Sequence, residues 1–424
     1  YTHLLPETYK GIAIHEIGHS LGMLHQFASS WDSTNYNPQY WQLRTNEGQA
    51  MGSCNGQPRT GDTDSCMGPR YLDGETADEM GFGDESRPGI DYFASTSTME
   101  YQWERFGETA GLGTYDMFTM SALYGRVLET MDPNVLPVSD QERFGPRMRS
   151  QLDEQENVVQ NTAYGNFPQP MHYTELARQL KIFDANRDCR PVSDEEKRIA
   201  KWRIVHNKVC APTPRDYAAW SDFVSDRTFG GDPASVAHAW HTPGDARLGG
   251  GNVRWFHRWG STNNSYMHTN PSDAGADPYE VARNTARKFD AMYPFGYFRR
   301  HNREYTWWNV PGAIASVYFD RERSFHWHSA IKSAQYMRSF GETKYNEMAQ
   351  SDDWLRPYLM ASTEAFNLLY RAAMMPQPGP YYALEDRRIP GWQKGKIYDT
   401  TDSPPQFAFE AFAVNPGDAR FIDD

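Results

Sequence analysis

No run of apolar residues in this chain approaches the ~20 that a helix needs to cross a bilayer, and the mean hydropathy is −0.77. No transmembrane segment is expected. Positive charge is also short: 42 Lys and Arg stand against 55 Asp and Glu, a formal net charge of −13. That balance opposes association with nucleic-acid phosphates or anionic lipid, so nucleic acid is not an expected partner. Local basic clusters such as YFRRHNREY (297–305) read as ion-paired surface. Internal repeats and sustained strand-like alternation are missing too, and the glycine-rich GGGNV is followed by no phosphate-loop lysine. Cysteine is scarce, with four in the chain. They fall into near-neighbour pairs, Cys54 with Cys66 and Cys189 with Cys210, although four cysteines allow three connectivities. Each near pair would close a small loop in polar sequence, where a crosslink adds order and an oxidising compartment permits it. Disulfides and an extracytoplasmic location (secreted, periplasmic or cell-surface) are the expectation; four reduced thiols are the alternative.

Histidine is scarce as well, 13 in 424 residues, yet three stand within HEIGHSLGMLH, residues 15–25. A helix from about Glu7 to Leu21 stacks His15 and His19, since residues four apart share a face. Two imidazoles so placed can bind one metal ion. Glu16 projects beside the pair, where it can reach a water at the metal without being a ligand, the position of a general base. Gly22 adopts positive φ at little cost, so it can end the helix and turn the chain to bring His25 to the same ion. Three neutral nitrogen ligands and an open fourth position suit Zn²⁺, which lowers the pKa of water there to about 7.

HEIGHSLGMLH resembles the H-E-x-x-H-x-x-G-x-x-H signature of the metzincin zinc metallopeptidases, whose second hallmark is a methionine-containing turn. FASTSTMEYQW supplies Ser97, Met99 and Tyr101 in the S-x-M-x-Y form of that turn. The resemblance implies that Met99 underlies the three imidazoles and that Tyr101 sits near the zinc, donating a hydrogen bond to the oxyanion. Gln26, after the third histidine, differs from the Asp, Glu, Ser or Pro of the best-known branches. The continuation FASSWDSTNYNPQYWQ looks more like the large extracellular zinc-dependent metallopeptidases of bacteria. By resemblance the function is that of a zinc endopeptidase acting on protein or peptide substrates. A structural subunit of an extracellular assembly, keeping the scaffold with little activity, is the competing reading. Metzincins carry a twisted sheet ahead of the zinc helix, and fourteen residues cannot encode it. The expected partner is therefore an N-terminal fragment of the same precursor, covering Ile14, Ile17 and Leu21.

The expected fold class is α+β, predominantly helical. Residues 1–130 form the metzincin-like region and 131–424 a mainly helical extension. Ser29 to Ser97, rich in Gly, Asp, Asn, Pro and Ser, reads as loop with short elements. TYDMFTMSALYGRVLE reads as a helix over Thr114–Glu129, and residues 131–149 as an exit linker. Beyond it, SDEE (193–196) is a capping box before Ile199, Trp202, Val205 and Val209 at helical spacing. TELARQLKIF, RDYAAWSDFVSD, PYEVARNTARKFDAMY, SFHWHSAIKSAQYMRSF and WLRPYLMASTEAFNLLYRAAM read as further helices. Two weaker constellations remain. DANRDCRPVSDE sets Asp184, Asn186, Asp188 and Glu195 at EF-hand-like positions for Ca²⁺, but with Cys189 where the loop wants glycine; the rival reading is a capped turn before the next helix. His238 with His241, and His326 with His328, read as structural or surface histidines rather than a second metal site.

Overall fold

A computed structural model describes residues 4–54, 66–81, 89–101, 111–131, 172–199, 203–219, 254–255, 271, 273–296 and 318–374. The expected linker (beyond Met131), His238, His241 and the GGGNV turn lie outside these residues. The chain divides into two compact units, residues 1–281 with 333–357, and residues 282–332 with 358–424.

In the first unit, α1 (Leu4–Ser20) carries the histidine motif. It ends where Gly22 takes φ +85°, with the Gly22 amide bonded to the carbonyl of His19. A loop stretch follows with a short turn of helix at Ser33–Asn35, then α2 (Pro38–Arg44), whose Pro38 occupies the first turn, where its missing N–H leaves no helical bond unmade. The strands β1 (Gly52–Ser53) and β2 (Cys66–Met67) pair in parallel, and the disulfide Cys54–Cys66 lies at that pairing. Ile90–Ala94 forms another short helical turn and α3 (Thr114–Met120) comes next.

Here the structure departs from the sequence reading. The helix expected to run to Glu129 loosens into a π-turn at Ser121–Gly125 and stops at Arg126, which has left-handed φ of 52°. Val127–Met131 is instead β3. It pairs antiparallel with β6 (Asp216–Ala219), cut from the segment RDYAAW that was expected to be helical, and with β7 (Arg254–Trp255). Between them lie α4 (Tyr173–Leu180), a single helical turn α5 (Ala185–Asp188), β4 (Cys189–Pro191), α6 (Asp194–Ile199) and β5 (Lys208–Cys210). The capping box forms: Ser193 N–H donates to Glu196 Oε2 at 3.0 Å, and Glu196 N–H to Ser193 Oγ at 3.3 Å. The helix does not carry through to Val209, however. Val205 and Lys208 bracket a two-residue hairpin turn in which His206 and Asn207 both have positive φ, the geometry that matches the twist of an antiparallel pair. Cys189 and Cys210 face each other across β4 and β5 and form the second disulfide.

The core of this unit gathers Tyr36, Tyr40, Trp41, Phe93, Tyr173, Ala177, Val205 and Ala276, so it draws on both sides of residue 130. Each large aromatic buried here contributes about 1.5–3 kcal/mol by removal from water. Beside it lies a layer of buried charge. Arg44 pairs with Asp73 at 2.7 Å and donates to the Gly68 carbonyl; Arg70 grips Glu79 with two bonds of 2.7 and 2.9 Å. Glu280 accepts from the Tyr173 and Tyr40 hydroxyls and from the Ala276 amide.

The second unit is helical in its described residues. They fall in α7 (Pro278–Gly296), in the helical turn at 318–319 with the first part of α8 (Asp320–Ala349), and in α9 (Arg356–Met374); residues 278–281, 333–349, with the bend at Gly341, and 356–357 of these helices belong to the first unit. Within this unit Phe289 meets Tyr318 edge-on, Ser329 Oγ donates to the Tyr358 carbonyl, and His326 Nδ1 bonds Ser362 Oγ at 2.6 Å. No helix among the described residues is long and apolar enough to cross a membrane.

Candidate metal centre

His15 and His19 share a face of α1, and the turn at Gly22 brings His25 back to them. The three ring centroids are 4.8–5.3 Å apart. One nitrogen from each ring lies within 4.8 Å of the other two, a group able to hold a metal ion.

Backbone carbonyls fix the tautomers. His15 Nδ1 is 2.6 Å from the Thr98 carbonyl and His19 Nδ1 is 3.0 Å from the Met23 carbonyl. A carbonyl only accepts, so each Nδ1 carries the hydrogen and, in the neutral ring, Nε2 presents its lone pair. This is the orientation that a hydrogen bond behind a ligating imidazole enforces. His15 Nε2 and His25 Nε2 stand 3.3 Å apart. Burial first, then the neighbouring His15 and His19, hold His25 below the usual imidazole value, and Glu16 opposes them. Glu16 is exposed on α1 and close enough for its charge to act on His25.

Below the helix lies the turn of residues 97–101. Met99 is fully buried, and a β-carbon built on Gly18 would stand 2.3 Å from its sulfur. Gly18, the residue just before His19, therefore permits the close approach of turn and helix. Ser97 Oγ accepts from the Met99 amide at 3.0 Å and donates to Asp116 Oδ1 at 2.7 Å. Asp116, in the first turn of α3, also accepts from the amides of Thr98 (2.8 Å) and Gly113 (3.1 Å). A chain of bonds thus runs from Asp116 through the backbone N–H and carbonyl of Thr98 to His15. Tyr101 stacks at 5.7 Å on His15 and lies 4.6 Å from His25; Phe27 stacks on His25 at 4.9 Å and lies 5.3 Å from Tyr101. Tyr101 is about half exposed.

Asp116, Gly18 and Phe27 escaped the sequence reading. Asp116 had one signal, an acidic residue three places after Gly113 at a helix start. The Thr98 and Met23 carbonyls had none, because backbone groups carry no side-chain identity.

The residues considered for calcium are employed otherwise. Asp184 caps α5, accepting from the amides of Asn186 and Arg187. Asp188 is bound by Arg187, Thr213 and the Asp184 amide, and Glu195 sits in the first turn of α6. They form no metal-holding group, and among the described residues only the three histidines do.

Comparison with family models, with curated proteins and with solved structures gave no match for this chain.

Proposed function

We propose that this chain is a zinc-dependent endopeptidase of metzincin type, working outside the cytoplasm. The observation that carries the reading is the convergence of His15, His19 and His25 with two rings locked in the ligating tautomer and Glu16 beside them. The donor set fits zinc: across a tetrahedral ion with bonds of ~2.05 Å, two nitrogens stand about 3.3 Å apart, and the His15–His25 separation is 3.3 Å. When bound, zinc supplies a Lewis acid that polarises the scissile carbonyl and acidifies water. His15, His19 and His25 would hold it. Glu16 takes a proton from the attacking water and delivers it to the leaving amine. The Tyr101 hydroxyl donates to the oxyanion as it develops.

Two disulfides support an oxidising compartment. Tyr9, Ile12, Ile17 and Leu21 are exposed on and just after α1, which supports a covering partner there.

The test is Glu16→Ala beside wild type, with metal content and casein hydrolysis measured on the same preparations. Retained zinc with hydrolysis lowered about 10²–10⁴-fold is the expected outcome. Unaltered hydrolysis would remove Glu16 as the base. A wild type that binds zinc and cleaves nothing would favour the scaffold reading.

A further inference from the structure

The residues after His25 and the turn carrying Met99 are joined through Glu100, a side chain that the site chemistry does not use. Glu100 is completely buried. Its Oε2 accepts from Ser29 Oγ at 2.9 Å and lies 3.2 Å from Ser30 Oγ, while its Oε1 has no hydrogen-bond partner among the described residues. Ser30 Oγ is also 2.8 Å from Asp273 Oδ1, and Asp273 is buried too. Ser30 itself is held firmly, since its carbonyl accepts from the Gly275 amide at 3.1 Å and from the Tyr36 hydroxyl.

One hydroxyl has one proton. Turned to Asp273, it leaves the lone pairs of Ser30 and of an ionised Glu100 facing each other; turned to Glu100, it does the same at Asp273. Two ionised carboxylates in this place would also repel each other out of reach of water, the situation in which one of a pair retains its proton. We propose that Glu100 and Asp273 share a single proton through Ser30 Oγ, and that this singly protonated pair is a positioning element that seats the residues following His25 on the turn carrying Met99 and Tyr101. One carboxyl donates to the hydroxyl, and the hydroxyl donates to the other carboxylate.

The electrostatics agree in direction. Burial first, then the charge of Asp273, push the Glu100 carboxyl well above its usual range. Tyr36, which faces the same spot, stays neutral, its ionisation pushed up by burial and then by Glu280 and Asp273. A carboxyl raised in the folded state contributes stability that is full below the ordinary carboxyl range and is lost as pH rises through the raised value. The consequence is a seat for His25 that loosens toward alkaline pH.

The effect at His25 rests on the metal-centre reading, whereas the shared proton does not. The wild-type chain, Glu100→Gln and Asp273→Asn are compared by thermal midpoint over about pH 4 to 9, by the infrared carbonyl stretch of a buried protonated carboxyl, and by retention of added zinc chloride. In wild type the midpoint should fall by several degrees as pH rises. In Glu100→Gln, which keeps a neutral partner for the serines, that fall should shrink and the infrared band disappear, and zinc should be retained to higher pH. Asp273→Asn should reproduce the midpoint and infrared changes, and carries the test alone if Glu100→Gln does not fold. The same pH slope in wild type and both variants, or a wild-type spectrum without a band that either variant removes, overturns the proposal. Zinc binding by none of the three refutes the metal-centre reading, while the midpoint and infrared arms still decide the shared proton.

Discussion

Two polar regions of the first unit are built on opposite plans. In the ionic layer, Arg44, Arg70, Asp73, Glu79 and Glu280 are buried and engaged by one another, by carbonyls and by tyrosine hydroxyls. At the histidine centre each of two rings is held by one nitrogen against one carbonyl, leaving the other edge directed at its neighbours. The first plan places every charge among partners, so its groups can do nothing further. The second gives up part of that satisfaction to keep lone pairs available, which is what ligation requires.

The comparison can be broken by swapping the expected outcomes of substitutions. His15→Ala should abolish metal retention and with it several kcal/mol of transition-state stabilisation, on the order of 10³-fold in hydrolysis. It should cost the metal-free fold no more than about 1–2 kcal/mol, the orphaned Thr98 carbonyl being the main loss. Urea titration alongside metal analysis checks both halves; a fold that collapses on this change would erase the distinction. Arg44→Met should do the reverse. It strands Asp73 in the interior and should cost about 3–5 kcal/mol, while any protein that remains folded, assayed in the cold, should still bind zinc.

Smaller changes sharpen the contrast. Gly18→Ala drives a methyl into Met99 and Met23; it should cost about 1–3 kcal/mol as an overpacked contact and weaken zinc retention in the same variant, as competition with a chelating dye would reveal. His206→Ala probes an exposed ionic contact as a control. His206 meets Glu47 at 2.8 Å and Asp78 at 3.0 Å, one through each ring nitrogen, which requires the imidazolium. Its hydrogen bond to Glu47 raises its pKa, so its contribution is present below the ordinary histidine value and is lost as pH rises through the raised one. Burial works to raise Glu47, but the bonds from His206, Lys208 and Gln42 outweigh it and hold the carboxyl at about 2; its contribution is present above the ordinary carboxylate range and lost as pH falls toward that value. Loss of His206 should therefore cost at most about 1 kcal/mol, mainly between the two limits, with wild type and variant converging at alkaline pH in chemical denaturation.

What could be read from the sequence was local. Helical spacing and a glycine stop marked α1, and the four-residue and six-residue intervals named the three histidines. The two cysteine pairs followed from proximity. The strands β3 and β6 escaped because their partners lie about ninety residues apart, as Val127 opposite Ala219 shows, and Tyr115, Phe118 and Ala122 continue helical spacing up to the break at Arg126. The hairpin at His206 and Asn207 was hidden by Val205 and Val209, which sit four apart as helix residues would. The bond chain from Asp116 to His15 joins positions about a hundred residues apart, and its middle link is the backbone N–H and carbonyl of one residue, which any residue but proline could supply.

The burial of Met99 against Gly18 has a bearing on chemical durability. A sulfoxide oxygen needs space beside the sulfur and converts an apolar side chain into a polar one, and here the sulfur is fully enclosed. Met117 is more than half exposed. A mild peroxide should therefore mark Met117 long before Met99, and peptide mapping would find hydrolysis surviving the first modification and failing with the second. The enclosed methionine makes the centre slow to age under oxidants.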